Sequence, residues 1–159
     1  MRQEVSSDRL TKKVVADVHI GIVVSRFNKE ISDGLFAGCQ RALQNMGVAR
    51  QNINTIFVPG AFELPFAAKK LIDAGRYQGL ICIGAVIRGD TPHFDFVAGE
   101  SARGIMELNL LGKIPVIFGV ITCNNLEQAK VRSAADNSNK GYEAGVAALE
   151  MIEVFSQKI

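Results

Sequence analysis

Apolar and polar positions along the chain follow two rhythms, which take turns. Residues 19–25, His19-Ile20-Gly21-Ile22-Val23-Val24-Ser25, form a short β-rich run that ends in the polar Arg26-Phe27-Asn28. After it, apolar or small residues recur at Ile31, Leu35, Cys39, Ala42, Leu43 and Met46. That i, i+3/i+4 spacing predicts one buried face of a helix, and Gly47 is placed to stop it. Residues 53–58 read as a second strand closed by Pro59-Gly60, and residues 62–74 as a second helix ending at Gly75. Residues 79–87 are apolar on both faces, which suits the centre of a covered parallel sheet. A loop at 88–93, a helix over 95–111 stopped by Gly112, and a strand over 115–122 follow. The remainder is helical, with a polar break around Asp136-Asn137-Ser138-Asn139 and a final helix packing Ala144, Ala147, Ala148, Met151, Ile152 and Phe155.

Four strands alternating with helices imply right-handed βαβ units and a three-layer α/β/α sandwich. No linker, repeat or low-complexity tract divides residues 1–159, so the expectation is a single domain.

Composition narrows the function classes. The chain has 159 residues, about one domain's length, and needs no disulfide or metal to hold a core. With 48% apolar residues it is not a disordered chain, and its 21% charged share is slightly low, a hint that some surface is hidden in an assembly. A net charge of +2 is too small to suggest a nucleic-acid surface. Cys39, Cys82 and Cys123 are odd in number and far apart, and there are only two histidines, His19 and His93. Buried thiols in a reducing compartment are expected, with no zinc or other metal site. The N-terminus is polar and no apolar run approaches the 18 or so residues of a membrane span, so a soluble cytoplasmic protein is expected.

Ligands of such sheets bind at the carboxyl ends of the strands, which selects four loops: residues 26–28, 59–63, 88–93 and 122–125. Gly89-Asp90-Thr91 could be a plain turn or an oxyanion cradle ahead of a helix. His93, two residues before Asp95, reads either as a surface or capping histidine or as a general acid/base. Phe27 and Phe62 suit core packing or stacking on a planar ligand. Glu63 suits hydrogen bonds to sugar-like hydroxyls or a helix N-terminus. Arg132 and Lys140 read as solvated helix charge, although an arginine there could bind phosphate.

Five segments in order carry a further signal: residues 25–28, 58–65, 84–95 (Gly-Ala-Val-Ile-Arg-Gly-Asp-Thr-Pro-His-Phe-Asp), 115–119 and Asn139-Lys140-Gly141. Together they resemble the 6,7-dimethyl-8-ribityllumazine synthase family of riboflavin biosynthesis, from about Val18 to the C-terminus. The resemblance implies a transferase that condenses 5-amino-6-(D-ribitylamino)uracil with 3,4-dihydroxy-2-butanone 4-phosphate, giving the lumazine, phosphate and water without a cofactor. It also implies a flavodoxin-like fold around a four-stranded parallel sheet, with an N-terminal arm (residues 1–17) adding a strand to a neighbour.

By the same resemblance, Phe27 would stack on the pyrimidine and Ala61, Phe62 and Glu63 would line the ring and ribityl pocket. Ala85, Val86 and Ile87 would bond the pyrimidine edge through their backbone. Gly89, Asp90 and Thr91 would cradle the phosphate, and His93 would shuttle protons. Phe118, Arg132 and Lys140 would arrive from an adjacent subunit, with Arg132 clamping phosphate. A pentamer is implied; the short spacing from Arg132 to Lys140 favours sixty subunits in an icosahedral shell, and riboflavin synthase is a candidate partner.

The chain departs from the family pattern at Ala98-Gly99-Glu100 and Ser133-Ala134. Rival readings are a flavodoxin-type carrier or receiver domain and a non-catalytic flavin- or lumazine-binding shell protein. The carrier lacks its Ser/Thr/Gly-rich loop here, the receiver its clustered aspartates, and the shell protein would be expected to have lost His93, Arg132 or the 89–91 loop.

Overall fold

The computed structural model describes residues 15–156. Four parallel strands, β1 (Ile20–Ser25), β2 (Ile53–Val58), β3 (Gly79–Ile87) and β4 (Val116–Cys123), form one sheet in the order β2-β1-β3-β4. Val23 of β1 stands opposite Ile56 on one side and Cys82 on the other, and Ile83 of β3 opposite Gly119. The helices are α1 (Lys29–Asn45), α2 (Leu64–Ala74), α3 (His93–Leu110), α4 (Leu126–Ser133) and α5 (Lys140–Ser156).

The first crossover steps outward from β1 to β2, and the second returns past β1 to β3. Right-handed crossovers therefore put α1 on one face of the sheet and α2 with α3 on the other. Side chains of each strand divide between those faces with period two. Ile20, Ile22 and Val24 of β1 and Ile81, Ile83 and Ala85 of β3 pack with Leu35, Cys39 and Leu43 of α1 and Leu149 and Ile152 of α5. Val23, Leu80, Cys82 and Val86 pack the other way, against Ala68 and Ile72 of α2 and Ile105 and Leu108 of α3. Central β3 is buried at its first eight positions, as its two-sided apolar pattern required, whereas edge strand β2 has no buried residue.

On the first face α1 and α5 approach closely. A Cβ added to Gly141 would lie 1.8 Å from the Leu35 carbonyl oxygen, and one added to Gly38 would lie 2.1 Å from Asn139 Oδ1. Only glycine lets these backbones meet. Gly47, Gly75 and Gly112, expected to end the first three helices, all adopt positive φ.

Two helix starts differ from the sequence reading. The second helix enters through a 3₁₀ turn at Ala61–Glu63, and α3 begins at His93 rather than 95, because Pro92 (φ −63°) sits at the helix N-cap. The N-terminal strand expected to join a neighbour falls largely on residues outside those described. The three cysteines are buried and unpaired. No helix among the described residues is long and apolar enough to cross a membrane. Of nine phenylalanines, seven are exposed: Phe27, Phe57, Phe62, Phe66, Phe96, Phe118 and Phe155.

Candidate active site

Connections from neighbouring strands β1 and β3 leave the sheet in opposite directions, which opens a crevice at their carboxyl ends. A cleft of about 600 Å³ lies there. Its lining includes Phe27, Ala61, Phe62, Glu63, Ala85, Val86, Ile87, Gly89, Thr91 and His93, ten of the residues singled out from sequence. Asp90, between two of them, is exposed. Asn28, Phe94, Phe96 and Val97 also line it.

The cleft is built by tying loops together through the backbone. The ladder between β1 and β2 continues past the strand ends, where Arg26 N–H donates to the Val58 carbonyl at 2.8 Å and Phe27 N–H to that of Pro59 at 3.0 Å. Ser32 Oγ donates to the Phe27 carbonyl at 3.1 Å. Phe27 is thus held by its main chain while its ring is 71% exposed, ready to stack. Asn28 takes the left-handed conformation (φ 55°, ψ 54°), which asparagine tolerates better than most residues. Its Nδ2 donates to the Ala85 carbonyl at 3.0 Å and joins the first loop to β3. The signal for it was present in Arg26-Phe27-Asn28, but nothing local names a partner 57 residues away.

Two expected roles become narrower. Ala85's carbonyl already accepts from Asn28, so one lone pair remains for a ligand edge. Glu63 Oε2 accepts from Gly60 N–H at 2.9 Å, so one carboxylate oxygen serves the turn, the capping alternative, and the other is left for a ligand.

At the 88–93 loop, His93 is exposed and opens α3, its N–H 3.4 Å from Thr91 Oγ1. The carboxylate that spacing put beside it turns elsewhere: Asp95 Oδ1 pairs with Arg88 Nη2 at 3.0 Å. The Arg88 guanidinium lies 4.2 Å from the centre of the Phe94 ring, with Nε 3.4 Å from Asn124 Oδ1. His93 lines the cleft, and no carboxylate among the described residues forms an ion pair with its imidazole.

A second cleft, of about 340 Å³, runs along edge strand β4 and the start of α5. It is lined by Phe118, Arg132, Lys140 and Glu143, among others. Lys140 Nζ lies 2.7 and 2.9 Å from the two Glu143 oxygens. Arg132 donates from Nη1 to the Gln128 carbonyl at 2.9 Å and has no carboxylate partner among the described residues. Burial raises the Cys123 thiol, and the nearby Arg132 charge works against that shift. The remaining predicted residues, Phe118, Arg132 and Lys140, therefore gather here, and none of them lines the first cleft.

Comparison with known proteins identifies the family. The family model described as 6,7-dimethyl-8-ribityllumazine synthase matches residues 17–156. A relative from Protochlamydia amoebophila bearing that name is 45% identical over 143 residues, covering 90% of this chain and 83% of the relative. Another, from Nautilia profundicola and of the same name, is 47% identical over 138 residues, covering 87% of this chain and 90% of its own. This chain belongs to the 6,7-dimethyl-8-ribityllumazine synthase family.

Proposed function

We propose that the chain condenses 5-amino-6-(D-ribitylamino)uracil with 3,4-dihydroxy-2-butanone 4-phosphate, giving 6,7-dimethyl-8-ribityllumazine with loss of phosphate and water in riboflavin biosynthesis. The observation that carries the residue-level reading is the division of charge between the clefts. The larger cleft offers aromatic rings, backbone groups and an imidazole but, among the described residues, no lysine or arginine. The smaller offers Arg132 and Lys140. A phosphorylated substrate needs both kinds of chemistry, and docking of one copy's β4 edge against the next copy's larger cleft supplies it. Seven exposed phenylalanines, two on the first cleft's predicted loops and one on the second, fit a subunit that buries such faces against neighbours.

In this reading the pyrimidine stacks on Phe27, with its ring and ribityl chain along Ala61, Phe62 and the free oxygen of Glu63. The backbone of Ala85, Val86 and Ile87 bonds the ring edge. The four-carbon phosphate lies over Gly89, Asp90 and Thr91, whose loop precedes the N-terminus of α3. The primary amine attacks the ketone, and the carbinolamine loses water to give an imine. His93 carries the protons of that dehydration, a task general acid/base catalysis accelerates about 10²–10⁴-fold. The carbon next to the imine then loses its proton, and that C–H electron pair forms a C=C bond as the C–O bond to phosphate breaks. The C–O electrons leave with the phosphate, and the adjacent subunit's copy of Arg132 stabilises that charge. The second amine closes the ring with loss of a further water. Holding both substrates side by side contributes the rest of the acceleration.

The oligomer is a pentamer, and the spacing between Arg132 and Lys140 favours sixty copies in an icosahedral shell that could enclose riboflavin synthase. A cytoplasmic site fits the three free thiols. Incubation with both substrates, following lumazine fluorescence and phosphate release, tests the reaction; absence of both signals overturns it. Light scattering tests the shell, which a pentamer mass alone excludes.

A further inference from the structure

Beside the second cleft lies a polar group that none of the proposed chemistry uses. Asn139 is fully buried, one of four buried polar residues among those described. Its Nδ2 donates to three main-chain carbonyls: Gly34 at 3.0 Å, Ser133 at 3.0 Å and Ala134 at 2.8 Å. Its Oδ1 accepts from Tyr142 N–H at 3.0 Å. The opposite amide orientation would set an oxygen against three carbonyls, so the assignment is fixed by its partners. The side chain thus caps α5 at its start, grips the end of α4, and fastens both to α1.

Its neighbours in sequence give this grip a consequence. Arg132 immediately precedes the gripped Ser133, and Lys140 immediately follows Asn139. We infer that Asn139 is a positioning residue that sets Arg132 and Lys140 at the spacing a substrate phosphate needs. It touches no substrate itself. The inference rests on the proposed role of these cations toward the phosphorylated substrate. Close approach of α1 supports the same arrangement: a Cβ on Gly34 would lie 2.6 Å from the Ser133 carbonyl oxygen, and one on Gly38 only 2.1 Å from Asn139 Oδ1.

Two variants disturb the grip by different routes. Asn139→Ser keeps a cap but loses the reach to three carbonyls. Gly38→Ala leaves Asn139 in place and pushes on it from α1. Both are assayed as the assembled protein with each substrate varied in turn. The expected result is a rise of about tenfold or more in KM for the phosphate substrate, since sub-ångström misplacement is costly, with KM for the pyrimidine within about twofold. In an Arg132→Ala background, Asn139→Ser should add less than it does alone, because one of the two cations it positions is gone. Equal changes in both KM values, no change in a folded variant, or full additivity with Arg132→Ala overturns the inference. Loss of assembly in both variants also overturns it, by making Asn139 a folding residue alone. A parent chain inactive with both substrates discards instead the functional reading beneath it.

Discussion

The two clefts are made by different means from one fold. The larger is assembled from loops, and hydrogen bonds such as that from Asn28 Nδ2 to the Ala85 carbonyl hold those loops while its aromatic rings stay exposed. The smaller runs along the β4 edge, and the cations that line it sit at the ends of α4 and α5, where Asn139 and glycine contacts with α1 hold the backbone. Loop construction leaves room for a planar ligand, whereas helix-end construction fixes charge at a set spacing. Under the proposed docking of adjacent copies, this division would let one copy carry every required group while a neighbour completes its site.

The strongest way to break that comparison is to place a defect in each cleft and mix the chains. Arg132→Ala should lower kcat/KM by about 10²–10³-fold, as removal of a transition-state anion partner does. His93→Ala should lower kcat by about 10²-fold, without abolishing the reaction. If the clefts of adjacent copies meet, co-refolding equal amounts of the two variants restores activity to about one quarter of wild type, since one random pairing in four is intact on both sides. Turnover of the mixture no higher than the mean of its components would mean that each copy works alone. Full turnover by assembled His93→Ala would remove the imidazole from the chemistry.

A stability contrast sharpens the same comparison. Gly141 sits beneath the cationic cleft, and a Cβ there would come within 1.8 Å of a backbone oxygen, a group that cannot swing aside. Gly141→Ala should destabilise by about 3 kcal/mol or more, the upper range for overpacking. Gly99, on the exposed face of α3, has nothing within 4 Å of its added Cβ, so Gly99→Ala should stabilise by about 0.5–1 kcal/mol through helix propensity. Urea midpoints of the two variants check the pair, and a tolerated Gly141→Ala would show that α1 and α5 are not locked.

How much of this was legible in the sequence depends on how far each residue's cause lies from it. Strand β3 and helix α1 were readable because burial imposes a continuous or a 3.6-residue pattern on the residues themselves. The start of α3 was misplaced by two residues because Pro92 serves as an N-cap, which no apolar periodicity records. Asp95 was read as a companion of His93 from spacing, but a partner seven residues back, Arg88, competes for it. Asn139 looked like part of a polar break; its acceptor on Gly34 lies 105 residues away. Phe27, Phe62 and the 88–93 loop were found by the rule for strand ends, whereas Phe118, Arg132 and Lys140 as a group came from family resemblance. No local pattern separates a solvated helix cation from one facing a cleft.

Thiols on the two faces of the sheet give a smaller effect. Burial pushes Cys39, on the α1 side, and Cys82, on the α2–α3 side, up to about 12 from the ordinary 9.0. An unfolded chain ionises these thiols above pH 9 while the folded chain does not, so their contribution to stability is whole below that pH. It falls by roughly 1.4 kcal/mol per pH unit for each thiol as pH rises from 9 toward 12. Denaturant titrations between pH 8 and 11 should show equal flattening in Cys39→Ala and Cys82→Ala. Unequal flattening would mean that water reaches one face more readily, on the side of the cleft above it.

The smallest expected effect lies at the carboxyl end of β1, beside the larger cleft. Ser25 is fully buried and its hydroxyl has no hydrogen-bond partner among the described residues. Its fit is a matter of shape: a Cβ on Gly84 of β3 would lie 2.7 Å from Ser25 Oγ, so the hydroxyl fills space that glycine leaves open. An unpaired buried hydroxyl costs about 1–3 kcal/mol in lost solvation, whereas removing it forfeits only a few weak dispersion contacts. Ser25→Ala should therefore leave turnover unchanged and stability equal or up to about 1 kcal/mol higher. Its contrast with Asn139 is the point, since both are buried polar side chains but only the second has every group engaged. A Ser25→Ala chain that loses activity while keeping its unfolding midpoint would show that the hydroxyl acquires a partner during turnover, and the larger cleft would then have a polar support of its own.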